Sequence, residues 1–168
     1  RIAFNALPTQ ISDDFMTKQY FQQPNQIMVT RHRRNFDQDH EGTDITFGTL
    51  TGYPCCFSNM HQGWPKFTQH LWYATPDNGI AAFTYSPSEV TAKVGNNVSV
   101  VISEDTYYPM DNRISFTIKE VKNKTKQVEF PLHLRIPKWC KRAEIIVNGK
   151  AEQYIEGGRI AVINRIWK

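Results

Sequence analysis

The sequence predicts a mainly β fold, an antiparallel β-sandwich preceded by a short helical and loop-rich segment. Three observations predict it. From Ile80 onward, apolar runs of about five to nine residues recur, each bounded by turn residues. Two of these runs alternate cleanly, Ile114-Ser115-Phe116-Thr117-Ile118 and the series Phe130, Leu132, Leu134, Ile136. Short alternating strands at this spacing are the pattern of an antiparallel sandwich. Before residue 78 the apolar spacing is instead three and four residues, the period of a helix.

Taken in order, Ile2, Ala3, Phe4 and Leu7 are helix-compatible and are stopped by Pro8. Ser12-Asp13-Asp14 suits the cap of a short turn. Gln19, Tyr20, Phe21, Gln22, Gln23, Asn25 and Gln26 crowd amides beside aromatics. That mixture fits either a hydroxyl-rich ligand or a loop that satisfies its own backbone. Residues 30–52 are polar and without clear period, which predicts a long loop. It holds the densest basic patch, Arg31-His32-Arg33-Arg34, but Asp37, Asp39, Glu41 and Asp44 follow at once. The patch is locally neutralised and no nucleic-acid motif surrounds it.

Next comes Gly52-Tyr53-Pro54-Cys55-Cys56-Phe57-Ser58-Asn59, with two of the three cysteines side by side. Neighbouring side chains point in different directions and seldom fill one core site. The pair therefore reads as a strained vicinal disulfide, as two buried thiols, or as two thiolates on one thiophilic metal such as zinc. A complete zinc site usually takes three or four ligands, so two cysteines do not complete one. The odd cysteine count implies no closed disulfide framework, and Cys140 reads as an isolated thiol. His61, just downstream, is placed to ligate, to bind substrate, or simply to hydrogen-bond at the surface.

Asn59 is an N-cap candidate, and Met60, Trp64, Phe67, Leu71 and Ala74 fall on one helix face. Pro65 either kinks that helix or delays its start to about Trp64. Thr75-Pro76-Asp77-Asn78-Gly79 ends it with turn residues, so the domain boundary is placed at residue 78, dividing 1–78 from 79–168. Strands are predicted at Ile80–Tyr85, Val98–Ser103, Ile114–Glu120, Val128–Ile136, Ala143–Val147 and Arg159–Ile163. Asn148-Gly149 is a hairpin signal. Asn97-Val98-Ser99 and Asn123-Lys124-Thr125 match glycosylation acceptors and equally suit turns.

The whole chain has 168 residues, 40% hydrophobic content and a net charge of +4, enough for one domain or one plus part of another. No apolar run approaches the roughly 18 residues of a membrane span. Arg1 in place of Met, and an end within a strand pattern, give the expectation that the chain is an excerpt of a longer protein. Localisation does not follow from such termini.

The run Tyr53-Pro54-Cys55-Cys56-Phe57-Ser58-Asn59, followed by Tyr85-Ser86-Pro87-Ser88-Glu89-Val90, resembles the bacterial β-L-arabinofuranosidase family, glycoside hydrolase family 127. Asp105-Thr106-Tyr107-Tyr108-Pro109, Leu134-Arg135-Ile136-Pro137-Lys138-Trp139 and Val147-Asn148-Gly149 extend the resemblance over essentially the whole chain. It implies a retaining glycosidase in which an (α/α)6 barrel precedes β-sandwich domains. Residues 1–78 would be the C-terminal edge of that barrel and 79–168 a truncated sandwich. The resemblance makes Cys55 the nucleophile and Cys56 a zinc ligand beside it. Tyr20 would correspond to a sugar-contacting tyrosine, although the amides around it depart from the family pattern. A further cysteine and glutamate of the zinc site, and the acid/base glutamate, belong to a Glu-X-Cys region that is absent from these 168 residues. The expected substrate is an oligosaccharide or plant glycan carrying β-linked L-arabinofuranose or a related sugar. The alternative is a non-catalytic carbohydrate-binding or structural sandwich. The excerpt alone is expected to be inactive.

Overall fold

The structure is a computed structural model and describes residues 9–20, 46–49 and 58–168. The chain divides into two compact units, Arg1–Thr68 and Gln69–Lys168. The basic patch, most of the amide-rich segment and most of the long loop lie outside the described residues.

In the first unit, the backbone of Lys18 bridges Ile11 on one side and Gly48 on the other. Between Ile11 and Lys18 the predicted turn is present. The Ser12 hydroxyl donates to Asp14 Oδ1 at 2.6 Å, and the Thr17 amide donates back to the Ser12 hydroxyl at 3.0 Å. Asp14 also accepts the Met16 amide, and the two bonds hold its carboxyl below the usual range, the Ser12 contact most strongly.

Helix α1 spans Gly63–Gln69. It starts beside Trp64, one of the two options Pro65 left open, because a proline in the first turn removes an amide that has no intrahelical acceptor. Asn59 is not its cap. It lies in a preceding helical turn, where its side-chain oxygen accepts from Gln62 Nε2 at 2.7 Å. The predicted helix face through Leu71 and Ala74 is corrected. Leu71 is buried, its carbonyl accepts the Phe83 amide at 3.3 Å, and Trp72–Ala74 is strand β1. Pairing with β2 (Ile80–Ala82) overrides the helical period there.

The second unit continues with β3 (Ser88–Val94), β4 (Val98–Thr106), β5 (Ile114–Lys122), β6 (Val128–Arg135), β7 (Arg142–Val147), β8 (Lys150–Glu156) and β9 (Ile160–Trp167). One sheet has the order β1-β2-β6-β9, a second β3-β4-β5, and β7-β8 is a hairpin around Asn148-Gly149. All pairs are antiparallel except β2 with β6, which is parallel. A shared core closes between the layers. Val94, Val100, Ile102 and Val121 come from the second sheet and Ile80, Ala82, Phe130, Leu132, Leu134 and Ile163 from the first. The alternation that predicted β6 is visible in its burial, with Val128, Phe130, Leu132 and Leu134 turned inward. Full burial of each such side chain contributes about 1.5–3 kcal/mol relative to exposure. The architecture is the expected β-sandwich after a short helix.

Strands β1, β3 and β8 were not among the predicted runs. In β3, small or polar residues flank Val90 and Val94, which weakens the apolar signal although the burial pattern still alternates. Asn97 and Asn123 both sit in turns. Asn97 has φ of 62°, and the Asn123 side chain donates to the Gln127 carbonyl at 2.6 Å.

The β1–β2 loop is tied to β6. Thr75 Oγ1 donates to Asp77 Oδ1 and accepts the Gly79 amide at 3.1 Å, while Asp77 Oδ2 meets His133 Nε2 at 3.0 Å. Gly79 is required by the close approach of Pro131. A β-carbon there would lie 2.2 Å from the Pro131 carbonyl oxygen and 2.6 Å from its ring. Gly79→Ala is therefore expected to lower stability by about 1–3 kcal/mol, since backbone must shift to admit one methyl. Urea unfolding reads this directly, and an unchanged midpoint would show that the β2–β6 contact is soft.

Candidate functional site

Cys55 and Cys56, the centre of the expected catalytic site, lie outside the described residues. His61 is exposed in the turn that leads into α1. Tyr20 is half-buried, and the Lys18 ammonium lies 5.6 Å from its ring centroid. Lys18 is 1% exposed, so this cation is held against the aromatic face rather than in water. The Lys18–Gly48 backbone pair, with bonds of 3.1 and 3.0 Å, fixes the segment that leads into Tyr20. How Tyr20 and His61 stand toward the cysteine pair falls outside the described residues. Cys140 is a half-buried free thiol.

Among the described residues no group of three or more His, Cys, Asp or Glu side chains is placed to hold a metal. The donor chemistry of two adjacent thiols suits zinc, but two thiolates supply half of a usual four-ligand shell. No helix among the described residues is long and apolar enough to cross a membrane.

The sandwich holds a buried carboxyl that the sequence reading missed. Glu104, near the end of β4, is 3% exposed. Its Oε1 accepts the Ser86 amide at 3.0 Å, while Oε2 is buried with no hydrogen-bond partner among the described residues. Burial pushes its pKa up to about 8, against the smaller lowering effect of the Ser86 bond. Beside it, Tyr85 is 2% exposed and donates its hydroxyl proton to the Arg135 carbonyl at 2.7 Å. Burial raises the Tyr85 pKa well above its usual value, with Arg135 opposing the shift and Glu104 and Tyr108 adding to it.

An aromatic series packs around Tyr85. Trp72 packs edge-on against Phe116 at 5.7 Å, Phe116 tilts against Tyr85, and Tyr85 meets Tyr108 edge-on at 5.9 Å. Tyr108 stacks on the exposed Trp139. Burial explains both pKa directions, because little water reaches either group. It also keeps Glu104 from acting as a glycosidic proton donor, since a 3% exposed carboxyl meets no substrate. Its work is structural, anchoring the segment between β2 and β3.

Comparison with known proteins places this site in context. No curated protein matches the chain. A solved structure described as a glycoside hydrolase superposes on 98% of this chain with a TM-score of 0.72 and 22% identity. A second, a GH127 β-arabinofuranosidase, superposes on 68% with a TM-score of 0.55 and 20% identity. These likenesses are of fold, and the chain spans only 26% and 20% of the two solved chains. The family described as "Beta-L-arabinofuranosidase, GH127 middle domain" matches residues 79–168, the whole of the strand region from Gly79 onward. With more than half of its length matched, the chain belongs to the GH127 β-L-arabinofuranosidase family, whose middle domain is the sandwich described above.

Proposed function

We propose that this chain is part of a retaining glycoside hydrolase that releases β-linked L-arabinofuranose, or a related sugar, from branched plant glycans. Cys55 is its nucleophile. The observation that carries this reading is the family match over 79–168, directly downstream of the Cys55-Cys56 pair.

Retention needs a nucleophile on one face of the anomeric carbon and a proton donor on the other. The Cys55 thiolate attacks that carbon as the glycosidic C–O bond breaks, and the departing oxygen takes a proton from a carboxylic acid supplied outside these 168 residues. Water then attacks the same carbon, gives its proton to that carboxylate, and the Cys55 sulfur leaves as a thiolate. Both steps need sulfur that is stable as an anion. Cys55 and Cys56 would hold zinc, which keeps coordinated thiols deprotonated and fixes their position. His61 and Tyr20 serve as sugar contacts in this reading. Residues 1–78 contribute the edge of the catalytic barrel and the sandwich supports it.

The longer polypeptide containing this chain is expected to turn over an aryl β-L-arabinofuranoside and to carry about one zinc per chain by elemental analysis. Cys56→Ser should lose the metal. A protein with neither zinc nor turnover would return the reading to a non-catalytic carbohydrate-binding sandwich.

A further inference from the structure

The sandwich has a gap in one layer. Strand β5 pairs with β4 and β7 pairs with β8, and among the described residues neither has a strand on its other side. Between them runs a cleft of about 890 Å³, walled by Phe116 and Ile118 of β5 and by Ile145 of β7. Its floor is Leu132, Leu134 and Ile163, core residues of the opposite sheet. Two sheet edges thus border one apolar floor that belongs to the shared core.

Such an arrangement is specific about its occupant. Strand edges present rows of backbone donors and acceptors that only another extended backbone satisfies along their length. The apolar floor calls for side chains at every second position of that backbone, the period of a strand. A small polar ligand would leave the edges unpaired and the floor wet.

We propose that a further β-strand of the same polypeptide, apolar at alternate positions, fills this cleft and pairs with β5 and β7, joining β3-β4-β5 and β7-β8 into one continuous sheet. Its source is the longer protein. The matched domain is a middle domain, and this chain spans 26% of the first solved relative. A tethered strand acts at an effective concentration in the millimolar range, whereas a separate peptide bears the full entropic cost of association. The inference rests on the family assignment and not on the enzymatic reading, so loss of one leaves the other standing.

Residue-resolved hydrogen exchange on the longer polypeptide tests it. Along Ile114–Ile118, the amides facing β4 and those facing the cleft alternate. Both sets should be protected to a similar degree, with the cleft-facing amides exchanging about a hundredfold slower than those of an open edge strand. Cleft-facing amides that exchange as fast as an open edge would overturn the proposal. So would protection of those amides in the 168-residue chain alone that rises with its concentration, which would identify a second copy as the occupant. Turnover plays no part in either measurement.

Discussion

Cys55→Ser in the longer polypeptide is expected to lower kcat on an aryl β-L-arabinofuranoside by about a thousandfold or more, with the fold retained. The substitution exchanges one atom for a slightly smaller one, so packing changes little. The chemistry changes greatly, because an alcohol is far less acidic than a thiol and stays protonated where sulfur is ionised. A serine oxygen would also be a poor leaving group in the second step. Circular dichroism and unfolding midpoints should match the parent while turnover is lost. Activity retained by the serine variant would remove Cys55 from its proposed role, and a general loss of structure would show in the same spectra. Comparison with Cys56→Ser separates the two roles, since turnover should fall in step with lost zinc in Cys56→Ser but should be lost in Cys55→Ser even in the fraction that still carries zinc.

Glu104 should make the sandwich less stable as pH rises through neutrality. The folded carboxyl keeps its proton to about pH 8, whereas the usual value is 4.5. Between those values the folded state binds the extra proton, so stability falls with increasing pH by up to about 1.4 kcal/mol per unit. Its contribution is fully present below the lower value and fully lost above the higher one. Glu104→Gln keeps the acceptor for the Ser86 amide and cannot ionise. The variant should therefore match the parent near pH 4 and become progressively more stable than it between pH 5 and 8. Urea unfolding across that range reads the difference in slope. Parallel curves would mean that water or a cation reaches Oε2 and that Glu104 ionises without cost.

The same residue shows where reading the chain in one dimension stops. Val100, Ile102 and Glu104 are successive inward positions of β4. A strand predicted to end at Ser103 places Glu104 in a loop, and the one added turn of the period places it in the core. Strand length depends on partners, and β4 reaches Thr106 because β5 pairs with it as far as Ile114. Charged residues are seldom buried, so composition argues against what the pairing enforces. Leu71 and Ala74 fail for a related reason. Their spacing from Phe67 is helical, but β2 offers Trp72–Ala74 a ladder that local period cannot anticipate.

What the sequence by itself determined is the order of events along the chain. It set a helix with Pro65 in its first turn, the turns at Asn97 and Asn148-Gly149, the alternation of β5 and β6, and the adjacency of Cys55 and Cys56. These are local properties, governed by backbone dihedral preferences and by side-chain period. Tertiary structure alone decided the parallel pairing of β2 with β6, the burial of Glu104 beside Tyr85, and the open cleft between β5 and β7. Each of these joins residues far apart in the chain. Their energies come from contacts and lost hydration that exist only once the layers have met.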